Sequence, residues 1–550
     1  MSRKLAVPAA IAVVALAAGL RIWGIGWGLP TSLHYFSYHP DETVTLFAAL
    51  KVNFFEGQLD PGFYNYGSLY IYLVNIAVVL GASCGLISIP SGDIFSAPGE
   101  FAKIYMAGRA VAVLLGIATV YLVYLLGKRA YGRGTGLLAA LFMAVMPIHV
   151  MHSRFLAVDV PATFFVVLAL VFAVRIPEGH RLRDYLLSGL FSGLAAGTKY
   201  NAGLVILAPI VAHLATGRAR PALRVLSPRL LAVLLTAVVG FLIGTPGALI
   251  NRDRFVNDFL FEVVHAKVGH GLIFVGTPCG YVHHVTCSLL AGMGLPLLAL
   301  ACIGLLYAIY RRRPSDLALL AFVIAYYAVI GAAEVKFARY TIPLLPVLAI
   351  LGARVSVDLV GRLWAGGLLA RLAGYLAAIV LSLAIVCTAA YSVAIDAVFV
   401  RPDTRDLAAA WVRRNVPRGS SIGLPTIPWF YTPPLDPYFG LLEPAERYER
   451  VKEFTDYVLV VSESEWNAGF LRRESPDYVI LSEFEYRDRL RIRDAAAREY
   501  FDVLRSDYRL EREFRSPPAL EKWVFPAYAL PHDMSYAGPT ILIYHRKVTD

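Results

Sequence analysis

The chain has 550 residues, of which 57% are apolar and 17% charged, against about 45–50% and about 25% in soluble globular proteins. That balance excludes a soluble enzyme, a disordered chain and a disulfide scaffold, and leaves a polytopic α-helical membrane protein. Charge divides unevenly: residues 401–550 hold 22 Lys+Arg and 24 Asp+Glu, a net of −2, whereas residues 1–400 hold 29 and 16, a net of +13.

Residues 1–398 therefore read as a membrane domain and 401–550 as an aqueous one. The basic residues sit in short clusters between apolar stretches, with no basic stripe interleaved with aromatics, so the charge signals orientation in a bilayer and not nucleic acid. The first apolar run continues past Arg21 to Leu29, too long for a cleaved signal, and reads as a retained signal anchor. Spans are expected at 5–29, 105–127, 135–152, 158–174, 184–198, 200–215, 230–250, 286–309, 317–333, 340–353 and 372–398, about eleven in all. With the N-terminus cytoplasmic, the clusters Arg3-Lys4, Lys128 to Arg133, Arg175 to Arg183, Arg218 to Arg229, Arg311 to Arg313 and Arg354 to Arg371 all fall inside, and residues 401–550 fall outside. Residues 66–88 are apolar enough to span, but counting them would invert every later loop; they are expected as a helix within or along the outer leaflet. The five cysteines match neither a zinc pattern nor a disulfide framework; only Cys279 and Cys287 share a loop, and unpaired thiols are expected.

This topology gathers the unusual polar residues at one face: HPDE (39–42), SRFLAVD (153–159), TKY (198–200), EVVHAKVGH (262–270) and EVKFARY (334–340). Ionisable groups at membrane depth are expensive and usually functional. Pro40 suits a first helical position, and Val44, Phe47, Leu50 and Phe54 recur at helical spacing, so an in-plane amphipathic helix is expected there. Asp41 and Glu42 either cap that helix or form a carboxylate pair able to activate an incoming hydroxyl. Arg154 and Asp159 either pair locally or separate, Asp159 facing the site and Arg154 an anionic ligand. Lys199 has no acid nearby in sequence and either snorkels to the surface or meets a lipid phosphate. Lys336, Arg339 and Tyr340 stand outside a span, against the inward positive bias; an arginine fork and a tyrosine hydroxyl suit phosphate oxygens, and Lys267 adds a further cation. His265, His270, His283 and His284 match no tight zinc signature, so no metal ligand is assigned, and a divalent metal stays open. Cations around a phosphate beside a carboxylate suit group transfer from a lipid phosphate, whose departure as a stable anion needs no general acid.

The order HPDE after the first span, R-x4-D after the third, TK between two spans and K-x3-Y before a Pro-rich span resembles the GT-C glycosyltransferases, especially the lipid A aminoarabinose transferases and protein O-mannosyltransferase-like enzymes, over residues 1–355. The resemblance implies transfer, probable inversion included, from a polyprenyl-phosphate-linked sugar to a protein, lipid or polysaccharide acceptor outside the cytoplasm of the inner or plasma membrane. It makes Asp41 the catalytic base, Glu42 its neighbour and Asp159 a second site carboxylate. It places Lys199, Tyr340 and Lys336 at the donor phosphate, with Lys267 a looser match. Where the aminoarabinose enzymes carry a Lys-Pro pair, this chain has Tyr64-Asn65-Tyr66-Gly67; Tyr66, His39 and His265 are left as acceptor-side candidates. A transporter or flippase of a lipid-linked sugar is the alternative, disfavoured by the lack of internal repeats.

Residues 401–550 read as an α/β domain: a helix from 401, strands near 456–464, 476–484 and 540–546, and a helix over 487–501, with the aromatic loop 427–440 either an acceptor groove or a packed loop. No catalytic set is visible there.

Overall fold

The computed structural model describes residues 3–88, 97–215, 226–437, 455–462, 464–525 and 530–547. Part of one basic cluster (218–225), the end of the aromatic loop (438–440) and position 463 in an expected strand lie outside them.

In lipid, a helix pairs all its own backbone groups, and helices dominate residues 3–400. The first, α1 (Arg3–Ile22), stops short of the expected 29 because Gly24 and Gly28 adopt φ of 80° and 60° and turn the chain. The helices of the first loop are α2 (Pro40–Leu50) and α3 (Leu69–Ser83). With 15 residues, α3 is about 22 Å long, shorter than a hydrocarbon core of about 30 Å. It packs with α2 and the start of α4 (Pro98–Tyr131) around Leu46, Tyr70, Val74, Ile104 and Tyr105. The expected span at 135–152 is broken: Pro147 holds Met146 in extended backbone, separating α5 (Arg133–Val145) from α6 (Pro147–His152).

Then come α7 (Asp159–Ala173), α8 (Leu182–Ala196), a 3-10 turn at Tyr200–Ile206 and α9 (Leu207–Leu214). They are followed by α10 (Pro228–Gly244), α11 (Arg252–Val268), α12 (Leu295–Arg311) and α13 (Pro314–Gly331). A second 3-10 turn, Ala338–Leu344, leads into α14 (Leu345–Trp364), and α15 (Leu368–Asp396) closes the bundle. Five helical stretches among the described residues are long and apolar enough to cross a membrane, and six more are apolar but only 10–17 residues long, α3 among them. The protein is thus a membrane protein, but helix length alone does not carry the expected count of eleven crossings.

Two close approaches set the position of the site. On α8, a Cβ at Gly193 would lie 2.0 Å from the Ala237 carbonyl oxygen, and on α10 one at Gly240 would lie 2.3 Å from that of Leu190. Gly189, Gly193 and Gly197 on one side and Gly240 and Gly244 on the other recur every four residues, a spacing of small residues that lets two helices touch backbone to backbone. At the end of α8, the Gly197 carbonyl accepts the Leu69 N–H (3.0 Å), tying the first loop to the residues just before Lys199.

The C-terminal part holds α16 (Thr404–Asn415), β1 (Ser421–Leu424), β2 (Val458–Val461), α17 (Ala468–Glu474), β3 (Tyr478–Ser482), α18 (Glu483–Arg491), α19 (Ala495–Asp507), β4 (Tyr508–Phe514) and β5 (Ile541–Arg546). The sheet order is β2-β1-β3-β5-β4, with β1 parallel to β2 and β3, and β5 antiparallel to β3 and β4. The helix expected over 487–501 is two helices, because Arg493 takes a φ of 60° and Asp494 caps a new start by accepting from the Ala496 and Ala497 N–H groups. All five cysteines are free. One apolar core runs from α1, α5 and α14 into the sheet, joining Phe399, Ile422, Met534 and Ile541.

The glycine contact is testable. Gly193→Leu should lower the thermal unfolding midpoint in detergent by the equivalent of about 1–3 kcal/mol, whereas Gly19→Ala on α1, where a Cβ meets nothing within 4 Å, should be neutral or slightly stabilising. Equal melting of the two variants would show that the α8–α10 contact does not set the packing.

Candidate active site

Four chain segments deliver the site. Asp41 sits in the first turn of α2, just after Pro40, and Asp159 is the first residue of α7. A carboxylate is electrostatically favoured at either helix start. Lys199 precedes the first 3-10 turn, directly after the glycine-packed α8, and Arg339 and Tyr340 lie on the second. Their side chains meet in one pocket, lined with Thr45 and Tyr66, with free space of about 10 Å³, roughly that of one water. Lys199 Nζ donates to Asp159 Oδ1 at 2.5 Å and lies 4.4 Å from the centre of the Tyr340 ring. The Arg339 guanidinium reaches Asp41 at 3.1 Å and Asp159 at 3.9 Å. Of the residues expected at one face, Asp41, Asp159, Lys199, Arg339 and Tyr340 meet in this pocket, and Tyr66, from outside those segments, joins them.

Burial pushes the Asp41 carboxyl up, but Arg339, with His39, Lys199 and His270, holds it below its ordinary value of 3.8. Asp41 is thus an ionised, weakly basic carboxylate at neutral pH, a quarter exposed to the pocket.

Other expectations need correction. Glu42 is fully buried and faces away from the pocket: it pairs with Arg109 of α4 through both oxygens (2.8 and 2.7 Å), accepts the Leu156 N–H at 2.7 Å and is hydrogen-bonded by Ser37. Arg109 overcomes burial to keep it ionised and below its ordinary value. Arg154 neither pairs with Asp159 nor faces a ligand; it is buried against Asp396 of α15 at 2.8 Å and the Phe399 ring at 4.6 Å. Lys336 is buried outside the pocket, 3.3 Å from both Glu334 and Thr277. Lys267 is exposed on the last turn of α11 and does not line the pocket. His39 is wholly buried behind Asp41, between Phe155 and Tyr536. His265 contacts His270 at 2.9 Å, outside the pocket. Among the described residues, no group of three or more His, Cys, Asp or Glu side chains could hold a metal ion.

The C-terminal domain contributes residues that sequence reasoning missed. Asp533 accepts the N–H groups of Ala338 (3.0 Å) and Arg339 (2.9 Å), capping the 3-10 turn from almost 200 residues away, and its carboxylate lies 3.8 Å from the Arg339 guanidinium. The Tyr536 hydroxyl meets Arg339 Nη1 at 3.4 Å. Nothing in the segment PHDMSY announces this. Arg109 did carry a signal: it is a lone cation inside an apolar span, and such a residue demands a partner.

A family model described as dolichyl-phosphate-mannose-protein mannosyltransferase matches residues 101–243. The apo oligosaccharyltransferase of Archaeoglobus fulgidus superimposes on 88% of this chain and 70% of its own, at 16% identity and a TM-score of 0.51. The chain has a GT-C fold. ArnT from Cupriavidus metallidurans, solved with undecaprenyl phosphate, is similar at 13% identity over 98% of each chain, with a TM-score of 0.48. No curated protein matches the chain in sequence. In this GT-C fold, the pocket lies where the first loop, α7, α8 and the turn before α14 meet the C-terminal domain.

Neutralising one member of a buried pair leaves the other uncompensated, at about 3–5 kcal/mol. Glu42→Gln should therefore lower the unfolding midpoint far more than Asp41→Asn, measured by thermal melting in detergent. An Asp41 variant that melts as low as the Glu42 variant would remove the distinction between a structural and a site carboxylate.

Proposed function

We propose that this protein is an integral membrane glycosyltransferase that moves a sugar from a polyprenyl-phosphate carrier to a hydroxyl acceptor, with inversion at the anomeric carbon. The observation that carries this reading is the pocket in which Lys199 and Arg339 stand beside Asp41 and Asp159. The matching family model and the GT-C fold support it. We place the pocket and the C-terminal domain on the extracytoplasmic side of the plasma membrane, with the N-terminus in the cytoplasm, from the inward bias of the basic loops.

The acceptor oxygen bonds to the anomeric carbon as the bond from that carbon to the phosphate oxygen breaks, and the electron pair of the broken bond leaves on the lipid phosphate. Lys199 gives one N–H to Asp159 and keeps two, while Arg339 has five donors and is within hydrogen-bond distance only of Asp41 and Tyr536, with Asp159 and Asp533 standing off at 3.9 and 3.8 Å. These spare donors meet the charge that grows on the phosphate, where fixed donors are most effective. Asp41 accepts a hydrogen bond from the acceptor hydroxyl and orients it. Because Arg339 keeps it weakly basic, it takes the proton late, once bonding to carbon has made that hydroxyl acidic, and then passes it to solvent.

Two measurements in proteoliposomes with radiolabelled lipid-linked sugars check this. Lys199→Ala should reduce transfer by at least 100-fold and weaken donor saturation; unchanged saturation would remove Lys199 from the phosphate. In the wild type, transfer should persist as pH falls until it drops below the ordinary carboxylate value of 3.8, because Asp41 stays ionised. Arg339→Gln removes the group that lowers Asp41 and leaves burial, which raises it, so the acidic limb of kcat/KM should move to higher pH. An unmoved limb would show that the limb does not report Asp41.

A further inference from the structure

A second, larger cavity of about 420 Å³ lies beside the site, between the loop after α11 and the C-terminal domain. Arg491 at the end of α18 builds it: its guanidinium binds the carbonyls of Leu272 (3.0 Å), Ile273 (2.9 Å) and Val275 (2.6 Å), stapling that loop over the domain. One wall is aromatic, with Trp429, Tyr431 and Phe484; the Tyr431 and Phe484 rings stack at 4.7 Å. The other wall carries Glu465, paired with Arg489, Asp488, paired with Arg491, and Glu485, which accepts from the Ser482 N–H and the Thr426 hydroxyl. The single arginine of the lining, Arg489, is already paired with Glu465 (2.5 Å) and Asp494 (2.7 Å).

His532 and Tyr536 stand between the cavity and the catalytic pocket. His532 lines the cavity, its ring lies 5.7 Å from Tyr536, and Tyr536 meets Arg339. His270 lines the same cavity, and its ring lies 5.3 Å from that of Phe337, over which the Arg339 guanidinium sits at 4.1 Å.

Resting on the transfer reading above, we infer that this cavity binds the acceptor and that the acceptor is an uncharged saccharide. Aromatic faces suit the apolar C–H faces of sugar rings, and carboxylates accept from the hydroxyl groups at their edges. The volume takes two to three sugar units, within the usual range of small-molecule sites of about 300–1,000 Å³. The lining offers no unengaged lysine or arginine to hold a phosphate- or carboxylate-bearing acceptor, which selects against an anionic glycolipid headgroup.

Saturation-transfer NMR on the full chain in nanodiscs, with neutral manno-, gluco- and galacto-oligosaccharides of three to five units and no lipid donor, tests this. At least one neutral oligosaccharide should show saturation transfer. Its sulfated counterpart should show at least five-fold less, as should a Ser/Thr-rich peptide. Phe484→Ala and Tyr431→Ala should reduce the signal at least five-fold, Phe484→Tyr should retain it, and matched melting curves show that the variants fold. Lys199→Ala should bind the sugar normally, so loss of transfer with retained sugar binding touches only the catalytic reading. Absent sugar binding, equal binding of the sulfated sugar, or preferential binding of the peptide would each overturn the inference, and the first two comparisons need no variant.

Discussion

The Arg339 guanidinium holds the site together. It stands within 4 Å of carboxylates from three remote parts of the chain: Asp41 of the first loop, Asp159 at the start of α7 and Asp533 of the C-terminal domain. A buried ion is tolerated only when its charge is met and its donors are engaged. The planar fork of arginine meets several acceptors at once where a lysine ammonium would meet them as a point charge. One side chain thus fixes the first loop, a membrane helix and the aqueous domain relative to each other, and Asp533 sets its backbone by capping the turn that carries it. The C-terminal domain thus supports the pocket from behind, through Asp533 and Tyr536 on Arg339.

Around this knot runs a scaffold of other buried pairs. Arg109 binds Glu42, Arg154 binds Asp396, and Arg354 binds Asp316. Each joins elements distant in sequence, and each satisfies a charge that lipid would otherwise penalise. The Glu42 pair matters most for function: it fixes α2 against α4 from behind, which leaves the adjacent Asp41 on the opposite side, facing the pocket. A Glu directly after an Asp on a helix turns roughly 100° away from it, and the pairing with Arg109 and the Leu156 N–H holds Glu42 out of the pocket.

Much of this was legible in the sequence. Composition gave the class, and the basic clusters confined the ionisable outliers to one face. Asp41, Asp159, Lys199, Arg339 and Tyr340 converge as their shared face implied, and Tyr66 joins them from a segment that gave no such sign. Partners at long range were not legible. Arg154 lies five residues from Asp159 yet binds Asp396, 242 residues away, because helix geometry and not chain proximity decides which charges share a buried volume. Helix ends were misplaced where backbone chemistry acts locally, at Gly24, Pro147 and Asp494. Asp533 and Tyr536 gave no signal, since a polar residue in a loop of a charged domain has no pattern to break.

The charge count of the pocket bears on how it works. Lys199 and Arg339 face Asp41, Asp159 and Asp533, so at rest the two cations are already engaged by three carboxylates and the free space is small. On the proposed transfer reading, an anionic lipid phosphate entering this knot would loosen the existing pairs and would not fill an open positive hole. Such an arrangement would bind the donor ground state only modestly, since each new contact is offset by one relaxed. It favours the moment when the sugar–phosphate bond breaks and charge on the phosphate oxygen rises, because the cations then gain more from the phosphate than from the carboxylates. Binding that strengthens only at the transition state accelerates the chemical step, whereas equal binding throughout would not. A flippase gains nothing from such a difference and needs a route past the midplane for the charged headgroup. Here the ionisable groups of the pocket sit together at the ends of α2, α7, α8 and the turn before α14, which suits reaction at one face better than passage through the bilayer.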